Sequence, residues 1–367
     1  MEKKVLFVAS TAAHIRKFHL SYLEQLQQEG WVIHAACSGG EPIPHAHAQL
    51  EIPFKKRMLS PSNLRSAWLL RKAIRQETYT AVIVHTSLAA FFTRLAVLGG
   101  KNRPTVINMV HGYLFDDRTP PLKRLILLEA EKLTAPVTDL LVTMNRYDYE
   151  IAKKHRLGRK IVPVSGVGVP FADLQSRRTG DTHELRRHLG IKRDDFVLIY
   201  PAEFSNRKMQ PVLLRAMTAL PENTVLVLPG SGDRLKACER LAKKLGIAHR
   251  VRFPGYVTDM VPWYEMANAA VSASRSEGLP FNVMEAMYFG LPVVASDAKG
   301  HTDLIRHGET GLLYPRGDWA SCAGQIRRLM EDPTFAQVLS RAAGEAVKQY
   351  DLKNVQPTVM GLYRSGE

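Results

Sequence analysis

Ser274-Arg-Ser-Glu-Gly-Leu-Pro-Phe-Asn-Val-Met-Glu-Ala-Met-Tyr-Phe-Gly-Leu-Pro-Val-Val-Ala-Ser-Asp297 is the stretch on which the reading of this chain turns. It leaves a strand-like run, Ala269 to Ala273, turns at Gly278 and enters a helix with Pro280 in the first turn. Gly290 stops that helix, and a second buried strand follows at Val293 to Ser296. Strand, loop, helix and strand in that order make a parallel crossover, the building unit of α/β folds. Two carboxylates punctuate it, Glu277 in the loop and Glu285 about a turn and a half into the helix, with seven residues between them. The helix start, around Gly278, Leu279, Pro280 and Phe281, offers the backbone N–H groups of its non-proline residues as a seat for phosphate or sugar oxygens.

Outward from this stretch the same alternation repeats. Strands are expected at Val5 to Ala9, Val32 to Cys37, Ala81 to His85, Thr105 to Val110 and Leu140 to Met144, with helices such as Ile15 to Gln28 and Leu122 to Leu133 between them. A second series runs through Phe196 to Tyr200, Thr224 to Leu228, Arg250 to Phe253, Ala269 to Ala273, Val293 to Ser296 and Leu312 to Tyr314. The Pro- and Gly-rich Val162 to Pro170 and the polar Gln175 to Thr182 separate the two series. The expected organisation is therefore a Rossmann-like domain over residues 1–165, a second over 166–345, and a C-terminal helix and tail over 346–367 that packs back on the first. With 367 residues, two cores are the natural division. Ligands of such sheets bind outside the carboxyl ends of the strands, so the site is expected in a cleft between two facing sheets.

Composition narrows the setting. Cys37, Cys238 and Cys322 are far apart and suggest neither a disulfide framework nor a zinc site, which points to a reducing cytoplasm. No export leader is expected ahead of the apolar stretch Met1 to Ala9, and no apolar run approaches the ~20 residues of a membrane span. The formal net charge is +15, and residues 1–165 carry 24 Lys and Arg against 13 Asp and Glu, so most of the excess lies in the first half. Such a field attracts phosphate-bearing partners or an anionic membrane surface. Nucleic acid is not expected as a partner, because no helix-turn-helix, zinc-finger or aromatic RNA-binding signature accompanies the charge.

The Glu277 to Val294 passage resembles the E-x7-E motif of family 4 retaining glycosyltransferases and the A-M-x-x-G-x-P-V-V helix end that follows it. Glu277 and Glu285 fill the acidic places, and Ala286, Met287, Gly290, Pro292, Val293 and Val294 the rest. Taken alone, the two glutamates would read as a capping charge and an exposed helix residue; the length of the match decides against that. The resemblance implies the GT-B fold, a contact of Glu277 with the transferred sugar, and acceptance by Glu285 of hydrogen bonds from the ribose hydroxyls of the nucleotide.

Tyr200-Pro-Ala-Glu-Phe-Ser-Asn-Arg-Lys-Met-Gln210 corresponds to the family's G-R-L-x-x-x-K-G, whose Arg and Lys hold the diphosphate. Lys208 matches the Lys, Glu203 stands in place of the Arg, and Arg207 is expected to supply part of the missing charge. The family's T-x-H-G pattern is met at His111 and Gly112, with Met109 in place of the Thr, which sets His111 near the transferred sugar. His14 and Arg16, in a loop that lacks the usual Gly-Gly pair, are assigned to the acceptor. Gly300 is expected to add backbone donors near the phosphates, whereas Lys299 reads as a surface residue.

Altogether the resemblance implies a retaining, metal-independent transferase with no cofactor. It would move a hexose or N-acetylhexosamine from a UDP-sugar to a lipid-linked glycan of bacterial capsule, exopolysaccharide or O-antigen, at the inner face of the cell membrane. No D-x-D-like or other metal-ligand cluster is expected at a strand end. The rival is a UDP-sugar epimerase of the same fold, which would need neither a lipid acceptor nor a basic first domain.

Overall fold

A computed structural model of the chain describes residues 3–100 and 102–365. Met1 and Glu2 of the expected first strand-like stretch, Lys101, and Gly366 and Glu367 of the expected tail lie outside the described residues. The chain divides into two compact units, residues 1–168 with 353–367, and residues 169–352.

In the first unit, Lys4–Thr11 (β1), Val32–Ser38 (β2), Ala48–Glu51 (β3), Ala81–His85 (β4), Thr105–Val110 (β5), Leu140–Thr143 (β6) and Lys160–Pro163 (β7) form a parallel sheet of order β3-β2-β1-β4-β5-β6-β7. In the second, Phe196–Ile199 (β8), Thr224–Val227 (β9), Val251–Arg252 (β10), Ala269–Ser272 (β11), Val293–Ser296 (β12) and Leu312–Tyr314 (β13) form one of order β10-β9-β8-β11-β12-β13. Both are Rossmann-like, as expected. Helices cover both faces, and that is why β4, β9, β11 and β12 are buried from end to end and read as continuous apolar runs. Each fully buried Val or Leu in them contributes about 1.5–3 kcal/mol of transfer free energy.

Helix starts are set by local chemistry. The Asn145 side chain accepts from Asp148 N ahead of Arg146–His155, Asp318 accepts from Ser321 N ahead of Trp319–Glu331, and Asp332 accepts from Phe335 N ahead of Pro333–Val347. Val169–Leu352 is closed at its ends by Val169 N donating to Tyr350 O at 2.8 Å and Leu352 N to Val169 O at 2.9 Å. Thus the first unit runs to Gly168, and residues 346–352 stay with the second. The last helix, Leu352–Arg364, returns to the first unit. There Gln356 Nε2 donates to Ser21 O at 3.1 Å, Arg364 pairs with Glu29, and Tyr363 meets the Phe7 ring edge-on at 5.6 Å.

Candidate functional site

β8 and β11 are neighbours although β9 and β10 lie beyond one and β12 and β13 beyond the other. At such a switch point the loops leaving the carboxyl ends diverge and open a crevice. The loop after β8 brings Lys208, the loop after β11 brings Glu277, and the loop after β12 brings Gly300. Lys208 Nζ donates to Glu277 Oε1 at 2.5 Å; Arg207 Nη1 donates to Glu277 Oε2 at 2.6 Å and to Ser276 O at 3.1 Å. The backbones are tied as well, Arg275 N to Arg207 O at 2.8 Å and Glu277 N to Lys299 O at 3.1 Å. Gly300 has φ +84°, and a Cβ there would lie 2.8 Å from Glu277 Cβ and 2.9 Å from Gly278 O, so only glycine lets the loops approach.

A buried polar ladder supports this cluster from below. Tyr200 Oη donates to Lys208 O at 3.1 Å and lies 2.8 Å from Ser274 Oγ, and Ser296 Oγ donates to Ser274 O at 2.6 Å. His301 Nδ1 sits 2.9 Å from Ser296 O and Nε2 2.9 Å from Ser272 Oγ. Because the carbonyl can only accept, Nδ1 carries the proton. Burial brings the His301 imidazole down to about 4, so it stays neutral.

Glu277 is 7% exposed. Burial opposes its charge, yet Lys208 and Arg207 outweigh that and hold the carboxyl well below the usual carboxylate range. For Lys208, burial pulls the ammonium pKa down and Glu277 offsets only part of that; for Arg207, the pull of Glu277 exceeds the burial cost and the pKa rises. The three directly paired groups, two cations against one carboxylate, carry one surplus positive charge, which the exposed Glu203 carboxylate partly offsets. Directly after Lys208, Met209 holds the left-handed conformation at φ 54°, the kind of backbone strain that collects at functional sites.

Glu285 stands apart from this cluster, half-buried on helix Phe281–Tyr288, where it accepts from Tyr264 Oη at 2.7 Å. Burial, and then Glu285, push the Tyr264 phenol well above its ordinary value, so it remains a donor. Leu279 is buried, Pro280 caps the helix, and Gly278 lies against Gly300. Glu203 is exposed, its carbonyl accepts from Gln210 Nε2 at 2.9 Å, and its carboxylate acts on Arg207 and Lys208. Lys299, expected at the surface, is 7% exposed, because the peptide that carries it is drawn under Glu277. Pro229-Gly-Ser-Gly232 went unassigned from the sequence. At Gly230, φ +149°, a Cβ would fall 2.0 Å from Ala202 O, and at Gly232, φ +145°, 2.4 Å from Phe204 O. This loop after β9 therefore lies flat on the one after β8. Two glycines directly after a strand were the signal.

At the first unit's own switch point, between β1 and β4, the structure gathers four imidazoles: His14 and His19 after β1, His85 at the end of β4 and His111 after β5. No ligand spacing in the sequence announces this cluster, since the four come together through topology. Burial lowers His14 to about 4 and the other three well below the ordinary histidine value. Arg16 turns elsewhere, donating to Pro42 O at 2.7 Å and pairing with Glu41 at 3.5 Å. Among the described residues no helix is long and apolar enough to cross a membrane.

A family profile described as glycosyl transferases group 1 matches residues 181–346. The Bacillus subtilis (strain 168) protein EpsD, named as a glycosyltransferase, is 33% identical over 368 residues, covering 99% of this chain and 97% of its own. Among solved structures, Anabaena Alr3699/HepE in complex with UDP and glucose superposes with a TM-score of 0.79 at 18% identity, over 99% of this chain and all of that one. WaaG, a glycosyltransferase involved in lipopolysaccharide biosynthesis, superposes with a TM-score of 0.78 at 16% identity, over 98% of this chain and 99% of that one.

Proposed function

This chain belongs to the group 1 glycosyl transferases, and on that premise we propose that it transfers a hexose or N-acetylhexosamine from a UDP-sugar to a hydroxyl of a lipid-diphosphate-linked glycan, with retention at the anomeric carbon. The observation that carries this reading is the buried Glu277 held between Lys208 and Arg207 at the second unit's switch point. The solved relative that holds UDP and glucose, and the one acting in lipopolysaccharide biosynthesis, support it.

In this account the diphosphate lies on the surplus positive charge. The acceptor oxygen bonds to the anomeric carbon on the face from which the diphosphate departs, the bond from that carbon to the β-phosphate oxygen breaks, and a β-phosphate oxygen takes the acceptor proton. Lys208 and Arg207 stabilise the charge that develops on the phosphate, so we assign no divalent ion and no cofactor to it. Glu277 meets the sugar at the carbon that reacts, Glu285 takes the ribose hydroxyls, and Gly278, Leu279, Pro280 and Gly300 shape the phosphate seat. His111 serves the transferred sugar, and His14 and Arg16 the acceptor.

The first unit supports an anionic membrane surface as the place of work. Helix Pro121–Thr134 exposes Leu122, Leu125, Ile126 and Leu133 beside Lys123 and Arg124, and helix Pro61–Gln76 exposes Leu64 and Trp68 beside Arg65, Lys72 and Arg75. Arg71 does not share that face, because its guanidinium donates to Ala96 O and Leu98 O at 3.2 Å. Each basic group at such a surface adds about 1 kcal/mol.

The test is incubation of the purified chain with UDP-glucose or UDP-N-acetylglucosamine, with and without undecaprenyl-diphosphate-linked N-acetylglucosamine. Extension of the lipid-linked sugar with release of UDP supports the reading. Epimer formed from UDP-sugar alone would favour the epimerase, and neither product would remove both.

A further inference from the structure

The four clustered histidines of the first unit differ from the Lys208, Arg207 and Glu277 cluster in carrying no charge. His19 and His85 are fully buried, His14 and His111 half-buried, and one ligand nitrogen from each lies within 4.8 Å of the other three. His14 Nε2 and His19 Nε2 are 3.4 Å apart, and His85 Nδ1 and His111 Nε2 are 3.1 Å apart. A tetrahedral ion with metal–nitrogen bonds of about 2.0–2.1 Å sets its ligand nitrogens about 3.4 Å from one another. Two edges of the cluster are therefore already close to the length of tetrahedron edges, and the longest separations, up to 4.8 Å, would have to close by about 1.4 Å.

His19 Nδ1 and His85 Nε2, the other nitrogens of the two deepest rings, are buried with no hydrogen-bond partner, so the polar contacts of each ring run through the nitrogen that faces the cluster, His19 Nε2 and His85 Nδ1. Ring packing holds them in place: His85 stacks on Phe7 at 5.4 Å and lies tilted against His19 at 3.9 Å. Immediately after His85, Thr86 takes φ 63°, held by its hydroxyl against Ser10 Oγ at 2.7 Å, so the end of β4 is bent to present that ring.

We propose that His14, His19, His85 and His111 bind one divalent transition-metal ion of the zinc class. The donor set is all nitrogen and neutral, which suits zinc, cobalt, nickel or copper and excludes magnesium and calcium, which take oxygen ligands. The ion would join the loop after β1, the end of β4 and the loop after β5, and so fix the walls of the first unit's crevice and the His111 ring with them. The site is built from these residues alone, and because His14 and His111 are also the residues assigned to the acceptor and the transferred sugar, an ion here would hold those two rings in place.

The test uses the full chain, stripped with chelator and titrated with cobalt(II) and then zinc. The expected result is one cobalt per chain with the intense visible bands of a tetrahedral ion, displaced by zinc, and a zinc-dependent rise in melting temperature. His14→Ala and His111→Ala should each weaken binding at least tenfold, and the double variant should abolish the bands. Absence of tetrahedral cobalt bands in the unaltered chain overturns the site in favour of a hydrogen-bonded imidazole cluster, whether or not the variants fold. Full binding by a folded double variant overturns it as well. UDP titration of the stripped chain reads the donor site separately.

Discussion

The two units place the same strand order around a switch point and fill it with opposite chemistry. Between β8 and β11 sits a charged cluster, Lys208, Arg207 and Glu277, propped by Tyr200, Ser274, Ser296 and His301. Between β1 and β4 sit four uncharged imidazoles with no carboxylate among the gathered ligands. Each point also contains a non-glycine residue at positive φ, Met209 in one and Thr86 in the other. The fold thus provides a crevice and a strained turn twice, and the side chains alone decide what each crevice attracts. A surplus positive charge suits a diphosphate, whereas desolvated neutral nitrogens do not.

The contrast breaks most decisively at Lys208. Lys208→Ala removes the group closest to the proposed leaving-group charge and leaves Glu277 buried with Arg207 alone. Steady-state assays should show turnover falling about 10²- to 10³-fold, as for loss of a preorganised oxyanion donor. A loss below about tenfold, too small for a role in the transition state, would mean the diphosphate lies elsewhere.

The two glutamates sharpen it further. Glu285 is proposed to accept from the ribose in the ground state and the transition state alike, so Glu285→Ala should mainly raise KM. Glu277→Ala should lower kcat, since that carboxylate stands where the sugar reacts. Each loss should amount to roughly ten- to a hundredfold, the worth of a charge-assisted hydrogen bond. Equal changes in KM and kcat for both variants would erase the distinction between them.

How much of this could be read from residues alone follows from distance along the chain. Apolar runs such as Ala81 to Val84 announced the strands, and Glu277 with Glu285 were legible because one short crossover carries both. β3, Ala-Gln-Leu-Glu, has too little apolar pattern to stand out, β7 ends in Pro163 within a stretch that reads as a hinge, and His19 splits the expected helix Ile15 to Gln28 into Ala12–Phe18 and Leu20–Gln28. The Lys208–Glu277 pair spans 69 residues and appears only when β8 and β11 become neighbours. The histidine cluster draws on positions 14 to 111 and has no periodicity to detect. Lys299 misled because a basic residue reads as solvated until its loop is docked.

A smaller effect separates the charged crevice from the neutral one by pH. Because the carboxyl of Glu277 is held below its ordinary 4.5 when folded, its contribution to stability is complete above that value and fades only as pH falls through the lower native one. Glu277→Gln leaves Lys208 buried without its counter-charge, a loss of about 3–5 kcal/mol. Thermal melts should therefore show a gap between the unaltered chain and this variant that is constant from neutral pH down to about 5 and closes in stronger acid. A gap that closes already near neutrality would assign the pair to another titrating group.

Calorimetric titration with UDP tests the central claim that the nucleotide belongs to the second unit's switch point. Run on the unaltered chain beside Lys208→Ala, Glu285→Ala and His14→Ala, it should show affinity falling about tenfold or more in the first two variants and unchanged in the third. Affinity lost in His14→Ala and retained in Lys208→Ala and Glu285→Ala would contradict the account and move the nucleotide to the first unit.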